Sequence, residues 1–176
     1  MRALLIVLLA PAAVALAQDN PLSAFSQMGY RQVKTLVLRS AEKMPEENYG
    51  FKPTESVRSY GQILGHMADS LFAYCDLAQG AKNPAPRVEQ TKTSKSDITA
   101  ALKDAFANCD RAFDGLTDAT ALQTLNFHGV ATPRVGILIA SIMHVEEHYG
   151  NLVTYMRLKD ILPPSSEPGA MPHGKK

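Results

Sequence analysis

Four stretches of this chain carry apolar residues at helical spacing, and each lies between residues that start or stop helices. Such a stripe must pack against a neighbouring helix, because an isolated amphipathic helix would leave it in water. No segment of four to eight residues alternates between apolar and polar residues in the way that a strand does. The sequence therefore predicts an all-α fold of four long helices. The helices begin at Asn20-Pro21, Ser59, Ser94 to Asp97 and Thr132-Pro133, and end before Pro45, at Gln79, at Gly115 and near Lys159.

The connection between the second and third predicted helices is long enough to be a crossover. It runs from Gly80 to about Lys95, whereas an antiparallel helix hairpin needs only a few residues. At about 3.3 Å per residue, such a segment can run the whole length of a 20-residue helix, which is about 30 Å. We therefore expect the second and third helices to be parallel.

The chain has two cysteines, Cys75 and Cys109. Parallel second and third helices would place them at similar heights, although Cys75 lies on the side of its helix away from His66. Two cysteines are enough for one bridge and too few for a disulfide scaffold. Two alternatives stay open here: a disulfide, or two reduced thiols that are buried separately.

Two histidines of the fourth predicted helix, His144 and His148, lie four residues apart in the sequence HVEEH. This spacing puts both imidazoles on one face of a helix, where they can share an ion. His66 lies on the inward stripe of the second helix. A catalytic zinc site commonly has three protein ligands and one open position. The pattern predicts a divalent-metal site at His66, His144 and His148, and the alternative is three ordinary core or surface histidines.

Three neutral imidazoles on a divalent ion would leave room for water whose pKa falls toward neutrality, so hydrolysis is the natural use of such a site. Glu147 is the expected general base, because it lies about 60° around the helix from His144 while Glu146 lies nearly opposite. Asp69 follows His66 by one turn and could orient its imidazole. Each of these acids could equally be a solvated helix residue.

The string HVEEH also matches the HxxEH motif of inverted zinc peptidases. Those enzymes take a third ligand from a glutamate well downstream, and the sole glutamate after His148 is Glu167, in a proline- and serine-rich tail. The peptidase interpretation therefore lacks its third ligand. His128, in the predicted loop before the fourth helix, could line the mouth of a site, but an exposed loop histidine is the simpler interpretation.

The N-terminus has the form of an export signal. Met1-Arg2 is a short basic start, Ala3 to Val14 is almost wholly apolar, and Ala15-Leu16-Ala17 is a typical cleavage pattern. The apolar run is too short for a permanent membrane helix, so we expect no stable membrane anchor after cleavage. The sequence thus predicts a secreted or periplasmic protein that is cleaved after Ala17. Residues 18–164 would form one domain and residues 165–176 a flexible tail.

The charge balance argues against nucleic acid as a partner. The chain has 18 Lys and Arg and 17 Asp and Glu, and the loss of Arg2 with the signal would bring the net charge to about zero. The densest positive run, Lys92 to Lys95, lies in a predicted loop and is most simply a solvated surface. We expect a small-molecule substrate and no nucleic acid.

Three blocks of the sequence resemble the DinB-like family of metal-binding four-helix bundles. They are GFKPT at residues 50–54, SYGQILGH at residues 59–66, and residues 144–164, where HYGNLVTYMR leads to a Pro-Pro stop. The resemblance covers most of the mature chain. It implies an up-down-down-up bundle, a metal-binding triad at His66, His144 and His148, and the homodimer that members frequently form. We expect one divalent ion, zinc first, with nickel, manganese or iron as alternatives.

The resemblance to this family implies metal-dependent hydrolysis of a small molecule. Some relatives use the metal to activate a small thiol for transfer, and a non-catalytic metal-binding or ligand-binding module is a third alternative. Export favours hydrolysis over thiol transfer, because small-thiol pools are chiefly cytosolic. A closed coordination sphere with no open pocket would favour the non-catalytic alternative.

Overall fold

The computed structural model describes residues 19–168, and this part of the chain is mainly helical. The predicted export signal, residues 1–17, lies outside the described residues. No helix between residues 19 and 168 combines the length and the apolar character that crossing a membrane requires. The long helices are α1 (Pro21–Lys43), α2 (Tyr60–Gln79), α4 (Lys95–Asp114) and α6 (Arg134–Arg157), the short helices are α3 (Val88–Thr91) and α5 (Asp118–Ala121), and the strands are β1 (Thr124–Phe127) and β2 (Val130–Pro133).

The ends of α2 follow the local capping signals in the sequence. The Ser59 hydroxyl accepts a hydrogen bond from the Gln62 N–H at 3.3 Å, and the Gln62 side chain accepts one from the Ser59 N–H at 2.8 Å. This reciprocal capping box satisfies two N–H groups that lack partners within the helix. Gly80 ends the helix in the left-handed conformation, with φ +71°, which costs glycine little.

The start of α1 differs from the prediction in its capping. Asn20 precedes the helix as expected, but its side-chain oxygen accepts from the Asp118 N–H at 2.8 Å instead of capping α1. In return, the Asp118 carboxylate accepts from the N–H groups of Leu22 and Ser23. The first turns of α1 and α5 therefore cap each other across the chain.

Helix α2 packs against α3, α4 and α6, while α1 packs against α4 and α6. The side chains between the long helices form one apolar core. Full burial of a leucine-sized side chain stabilises a fold by about 1.5–3 kcal/mol, so these contacts hold the helices together. The largest fully buried side chains are Met44, Tyr60, Leu64, Met67, Leu71, Ile98, Leu102, Phe106, Phe113, Ile137, Leu138 and Leu152.

A β-hairpin precedes α6, and the all-α prediction omitted it. The strands β1 and β2 pair antiparallel, with Phe127 opposite Val130. The two turn residues, His128 and Gly129, have φ values of +51° and +84°, as tight hairpin turns require. The Asn126 side chain accepts from the Gly129 N–H at 2.8 Å and supports the turn. Strands of four residues are too short to show a clear alternating pattern, which explains the omission.

The first residues of the predicted tail contact the helices. A 3-10 turn spans Pro164–Ser166, and the Ser165 N–H donates to the Tyr149 hydroxyl at 3.1 Å. The Glu167 carboxylate forms ion pairs with Arg39 and Lys43 of α1. Residues 169–176, the remainder of the predicted tail, lie outside the described residues.

A disulfide between Cys75 and Cys109 joins α2 to α4. Their Cα atoms are 5.2 Å apart. Of the two alternatives that the sequence leaves open, the structure has the bridge. Next to it, the Asn108 side chain donates to the Asp76 carboxylate at 2.8 Å, so a buried polar contact accompanies the covalent one.

Thiol titration of the denatured, non-reduced protein should find no free thiols. The bridge joins residues 34 positions apart, and the chain-entropy model gives a loop of this length about 3–4 kcal/mol of stabilisation. The double variant Cys75→Ser, Cys109→Ser should therefore unfold at a lower urea concentration than the oxidised wild type, and reduced wild type serves as the control. Two free thiols per chain would contradict the bridge.

Candidate metal centre

The structure brings together the three histidines that the sequence singles out. His66 extends from α2, and His144 and His148 extend from successive turns of α6, which packs against α2. The Nε2 atoms of His66 and His144 are 3.1 Å apart, and one ring nitrogen from each of the three residues lies within 4.8 Å of the others. His148 is buried, and the other two rings are half-buried.

The three imidazoles suit a divalent ion such as Zn²⁺ by their chemistry and their spacing. Neutral imidazole nitrogens bind zinc at about 2.0–2.1 Å, so nitrogens that share an ion must lie within a few ångströms of one another. Two bare ring nitrogens 3.1 Å apart repel each other unless a hydrogen or a cation lies between them. A cation held by all three rings would relieve that repulsion.

Burial keeps two of these rings neutral. The pKa of His148 is lowered to about 4, first by burial and then by the positive charges that His144 and His66 would carry when protonated, while Glu147 acts in the opposite direction. The pKa of His144 is lowered as well, first by burial and then by His66. Neutral imidazole is the form that binds a metal, so near pH 7 these rings are ready to act as ligands.

Each imidazole also has a polar neighbour. The Nδ1 atom of His66 lies 3.1 Å from the Glu89 carboxylate, and the Nε2 atom of His144 lies 3.1 Å from the Ser70 hydroxyl. A longer contact of 3.4 Å joins the Asn151 amide to Nδ1 of His148. A neighbour on the nitrogen away from the cluster, as Glu89 is for His66, selects the ring nitrogen that faces an ion.

Asp69 does not orient His66, contrary to one of the two interpretations of this residue. Its carboxylate accepts hydrogen bonds from the N–H groups of Val88 and Glu89 at the start of α3. The carboxylate beside His66 belongs to Glu89, which the sequence analysis missed. Glu89 lies 23 residues after His66 in a predicted loop, and no spacing rule connects the two positions.

The two glutamates between His144 and His148 are both exposed. Glu147 lies close enough for its charge to raise the pKa of both histidines. Its carboxylate makes no hydrogen bond within residues 19–168. Glu146 has no such influence on either ring, which agrees with its position on another side of the helix.

A cavity of about 640 Å³ opens beside His148. Such a volume is typical of small-molecule sites. Charged and polar side chains line most of it, chiefly those of Lys52, Arg58, Gln62, Glu89 and Asn151.

A second cavity, of about 390 Å³, lies on the side of the triad nearer His144. Its walls include Ser70, Tyr74, Phe127 and His128. His128 is exposed, as the simpler interpretation of the sequence expects, and it also lines this cavity. The ring centroid of Phe127 in the hairpin lies 5.6 Å from that of Tyr74, which in turn lies 5.9 Å from that of His144. An aromatic surface therefore lies close to the histidines.

Comparison with known proteins gives one family. The family model of the DinB superfamily matches residues 30–152, more than half of the chain. No curated protein matches the chain in sequence.

Several solved structures have the same fold. A DinB-like protein from Bacillus subtilis has a TM-score of 0.67 and 18% identity, over 85% of this chain and 99% of its own. A DinB-like protein from Bacillus cereus has a TM-score of 0.65 and 15% identity, over 79% and 93% of the two chains. A conserved protein from Enterococcus faecalis has a TM-score of 0.63 and 12% identity, over 77% and 95%. Identities this low show the fold alone.

Alanine in place of any one of the three histidines should sharply reduce metal content. Purified wild type and variants would be incubated with Zn²⁺, passed through a desalting column and measured by elemental analysis. The wild type should also gain about 2.7 kcal/mol of unfolding free energy at a free Zn²⁺ concentration 100 times its Kd, whereas the variants should gain less. His128→Ala is the matched control and should retain the metal. Equal stoichiometry in all variants would refute the site.

In the absence of metal, His148 should make the fold sensitive to acid. Its pKa is about 4 in the folded chain and about 6.5 when unfolded, so the unfolded state binds more protons between these values. Stability should therefore fall as the pH drops from about 6.5 to 4, by up to about 3 kcal/mol more than in His148→Gln. Urea unfolding with a chelator at pH 7 and pH 4.5 measures this difference. Parallel pH profiles for the two proteins would contradict it.

Proposed function

This chain belongs to the DinB superfamily, and on that premise we propose that it is an exported metal-dependent hydrolase of a small molecule. The observation that carries the proposal is the cavity of about 640 Å³ that reaches His148 beside the cluster of three histidines. A metal centre that serves structure alone is normally closed by four protein ligands, whereas a catalytic one keeps a position open to substrate.

We infer that the four long helices form an up-down-down-up bundle with a long crossover between α2 and α4. Two contacts support a common direction for α2 and α4. Gly61 lies against Ile98 near the start of both helices, and the disulfide joins them near their ends.

Contacts of the outer helices support the rest of this topology. At one end of the molecule the Lys95 ammonium, at the start of α4, donates to the Met44 carbonyl just after α1, which favours opposite directions for these helices. Near the end of α6 the Tyr155 hydroxyl donates to the carbonyl of Arg58 just before α2. Helices α2 and α6 would therefore also run in opposite directions.

Export is part of the proposal and rests on the sequence of residues 1–17, with cleavage after Ala17. The disulfide between Cys75 and Cys109 supports it, because such bonds form and persist mainly outside the reducing cytosol. The same compartment would contain little of the small thiols on which a transferase depends.

His66, His144 and His148 would hold one divalent ion, with zinc favoured by the three-imidazole donor set. When bound, the ion would supply Lewis acidity and lower the pKa of a water molecule in the site toward neutrality. The protein's own residues would keep the ligands neutral and orient the substrate. Burial of His144 and His148 keeps these two rings neutral, and the cavity beside His148 would orient the substrate next to them.

Glu147 would act as the general base. Its charge reaches both histidines of α6. Its exposed side chain does not line the cavity beside His148, so this carboxylate would have to turn toward the cavity to take up the proton. The Asn151 amide and the Arg58 guanidinium line the same cavity and could hold a carbonyl or carboxylate oxygen of the substrate. A positioned general base typically contributes about 10²–10⁴-fold to a reaction rate.

Glu147→Gln should retain the metal and lower hydrolysis about 10²–10⁴-fold, because an amide cannot accept the proton. Glu146→Gln is the matched control and should change the rate little. The measurement is turnover of an ester or amide, found by a broad screen with Zn²⁺-loaded protein, together with metal content for each variant. Equal losses in the two variants would leave Glu147 without a specific role.

The same screen separates hydrolysis from the two alternatives. Turnover no greater than that of a His144→Ala control would refute the hydrolase and favour a non-catalytic binding module. Turnover that requires an added small thiol would favour the transferase. Elemental analysis of protein from its native host would identify the ion, because overexpression can load whichever metal is abundant.

A further inference from the structure

We propose that Glu89 is a positioning residue for the metal centre, held against His66 by the connection between α2 and α4. The inference rests on the metal-binding part of the proposed function and is independent of the hydrolytic part. It assigns a role to a segment that, by sequence, looks like an ordinary linker.

The contact between Glu89 and His66 determines which ring nitrogen faces the other histidines. A carboxylate only accepts hydrogen bonds, so the His66 Nδ1 atom, 3.1 Å from Glu89 Oε2, must carry the hydrogen. The His66 Nε2 atom then presents its lone pair. This is the nitrogen that lies 3.1 Å from His144 Nε2, inside the cluster. Glu89 thus selects the tautomer that a metal ligand needs.

The backbone of Glu89 is fixed by α2 itself. The Asp69 carboxylate accepts from the N–H groups of Val88 and Glu89, at 2.8 Å and 3.1 Å, and so caps the first turn of α3. Gly65 lies directly beneath this turn. A β-carbon at that position would lie 2.8 Å from the Glu89 Cα atom, which is closer than real side chains approach. Only glycine allows α3 to lie this near to α2.

A second contact fixes the side chain. The Arg58 Nε atom donates to Glu89 Oε1 at 2.8 Å, which leaves Oε2 for His66. Arg58 is itself anchored, because its carbonyl accepts from the Tyr155 hydroxyl of α6 at 3.0 Å. The carboxylate is therefore held directly by Arg58 and His66, while α2 fixes the Glu89 backbone and α6 anchors Arg58. A partner that is placed by several elements can hold a ring at a defined angle.

A simple surface ion pair does not explain this arrangement. The Arg58–Glu89 pair is partly exposed, and such pairs contribute little to stability, about 0–1 kcal/mol. An ion pair of that kind needs no close approach of two backbones and no capping aspartate. The sharing of one carboxylate between a guanidinium and a ligand imidazole is better explained by a role in orienting the ring.

The test is the Zn²⁺ affinity of full-length protein, measured by competition with a chelator of known affinity. Glu89→Ala removes both the acceptor and the charge, and it should weaken binding about 10–100-fold. Glu89→Gln keeps an acceptor at the same place and should lie between Glu89→Ala and wild type. Glu55→Ala is the matched control, because Glu55 lines the same cavity but pairs with Lys52 instead of a histidine.

Proton NMR of the Zn²⁺-loaded protein provides a readout that a purely structural role would not change. Wild type should show a downfield His66 Nδ1–H resonance protected from exchange with water, which Glu89→Gln should shift and Glu89→Ala should abolish. Unfolding in the presence of chelator checks that each variant is folded. If Glu89→Ala is not folded, the isosteric Glu89→Gln variant still tests the proposal.

The outcomes separate this proposal from the metal centre itself. Affinities of both Glu89 variants that match those of Glu55→Ala, with an unchanged Nδ1–H resonance, would overturn the positioning role alone. Wild type that binds no Zn²⁺ would overturn the metal centre and this proposal together. Weaker binding in the order wild type, Glu89→Gln, Glu89→Ala would support the role even if no hydrolytic substrate is found.

Discussion

The packing of α2 among its neighbours is the constraint on which the rest of the structure depends. Helix α2 contacts α3, α4 and α6, so different faces of this helix make different contacts. Its apolar face buries Leu64 and Leu71 in the core, Cys75 joins it covalently to α4, and His66 faces α6. A rotation of α2 by one residue, about 100°, would disturb the core, the bridge and the histidine cluster at once. The core thereby holds the site in register.

The features that sequence could predict are those with local signals. Helix α2 begins at the capping box of Ser59 and ends at the left-handed Gly80, as expected, because both signals depend on residues within a few positions of each other. The histidine cluster followed from one helical spacing and one inward stripe. Glu89 and the role of Asp69 could not be found in this way, because they arise where a distant segment meets α2. The hairpin at His128-Gly129 was missed because its strands have only four residues each and its turn lacks the usual Asn-Gly signal.

Fold and chemistry rest on different kinds of evidence in this protein. The solved relatives share 12–18% of their residues with it and still superpose over most of their lengths, because many sequences satisfy the same pattern of buried stripes. Chemistry depends on fewer atoms. A metal-dependent reaction would need three ring nitrogens within a few ångströms of one another and a cavity that reaches them. A family name therefore identifies the scaffold, and the function must be argued from the site that the scaffold carries.

The close contact of Gly65 with the backbone of α3 has a consequence for how this site can change over generations. A chain could keep every histidine and every carboxylate described above and still lose their arrangement through one added methyl group, because that group would push α3 away from α2. A sequence comparison that considers only the three histidines would not detect the effect of a substitution at Gly65. The contact between Glu89 and His66 thus depends on a residue that contributes no functional group, and a chain that kept the histidines but not this glycine would lose that contact.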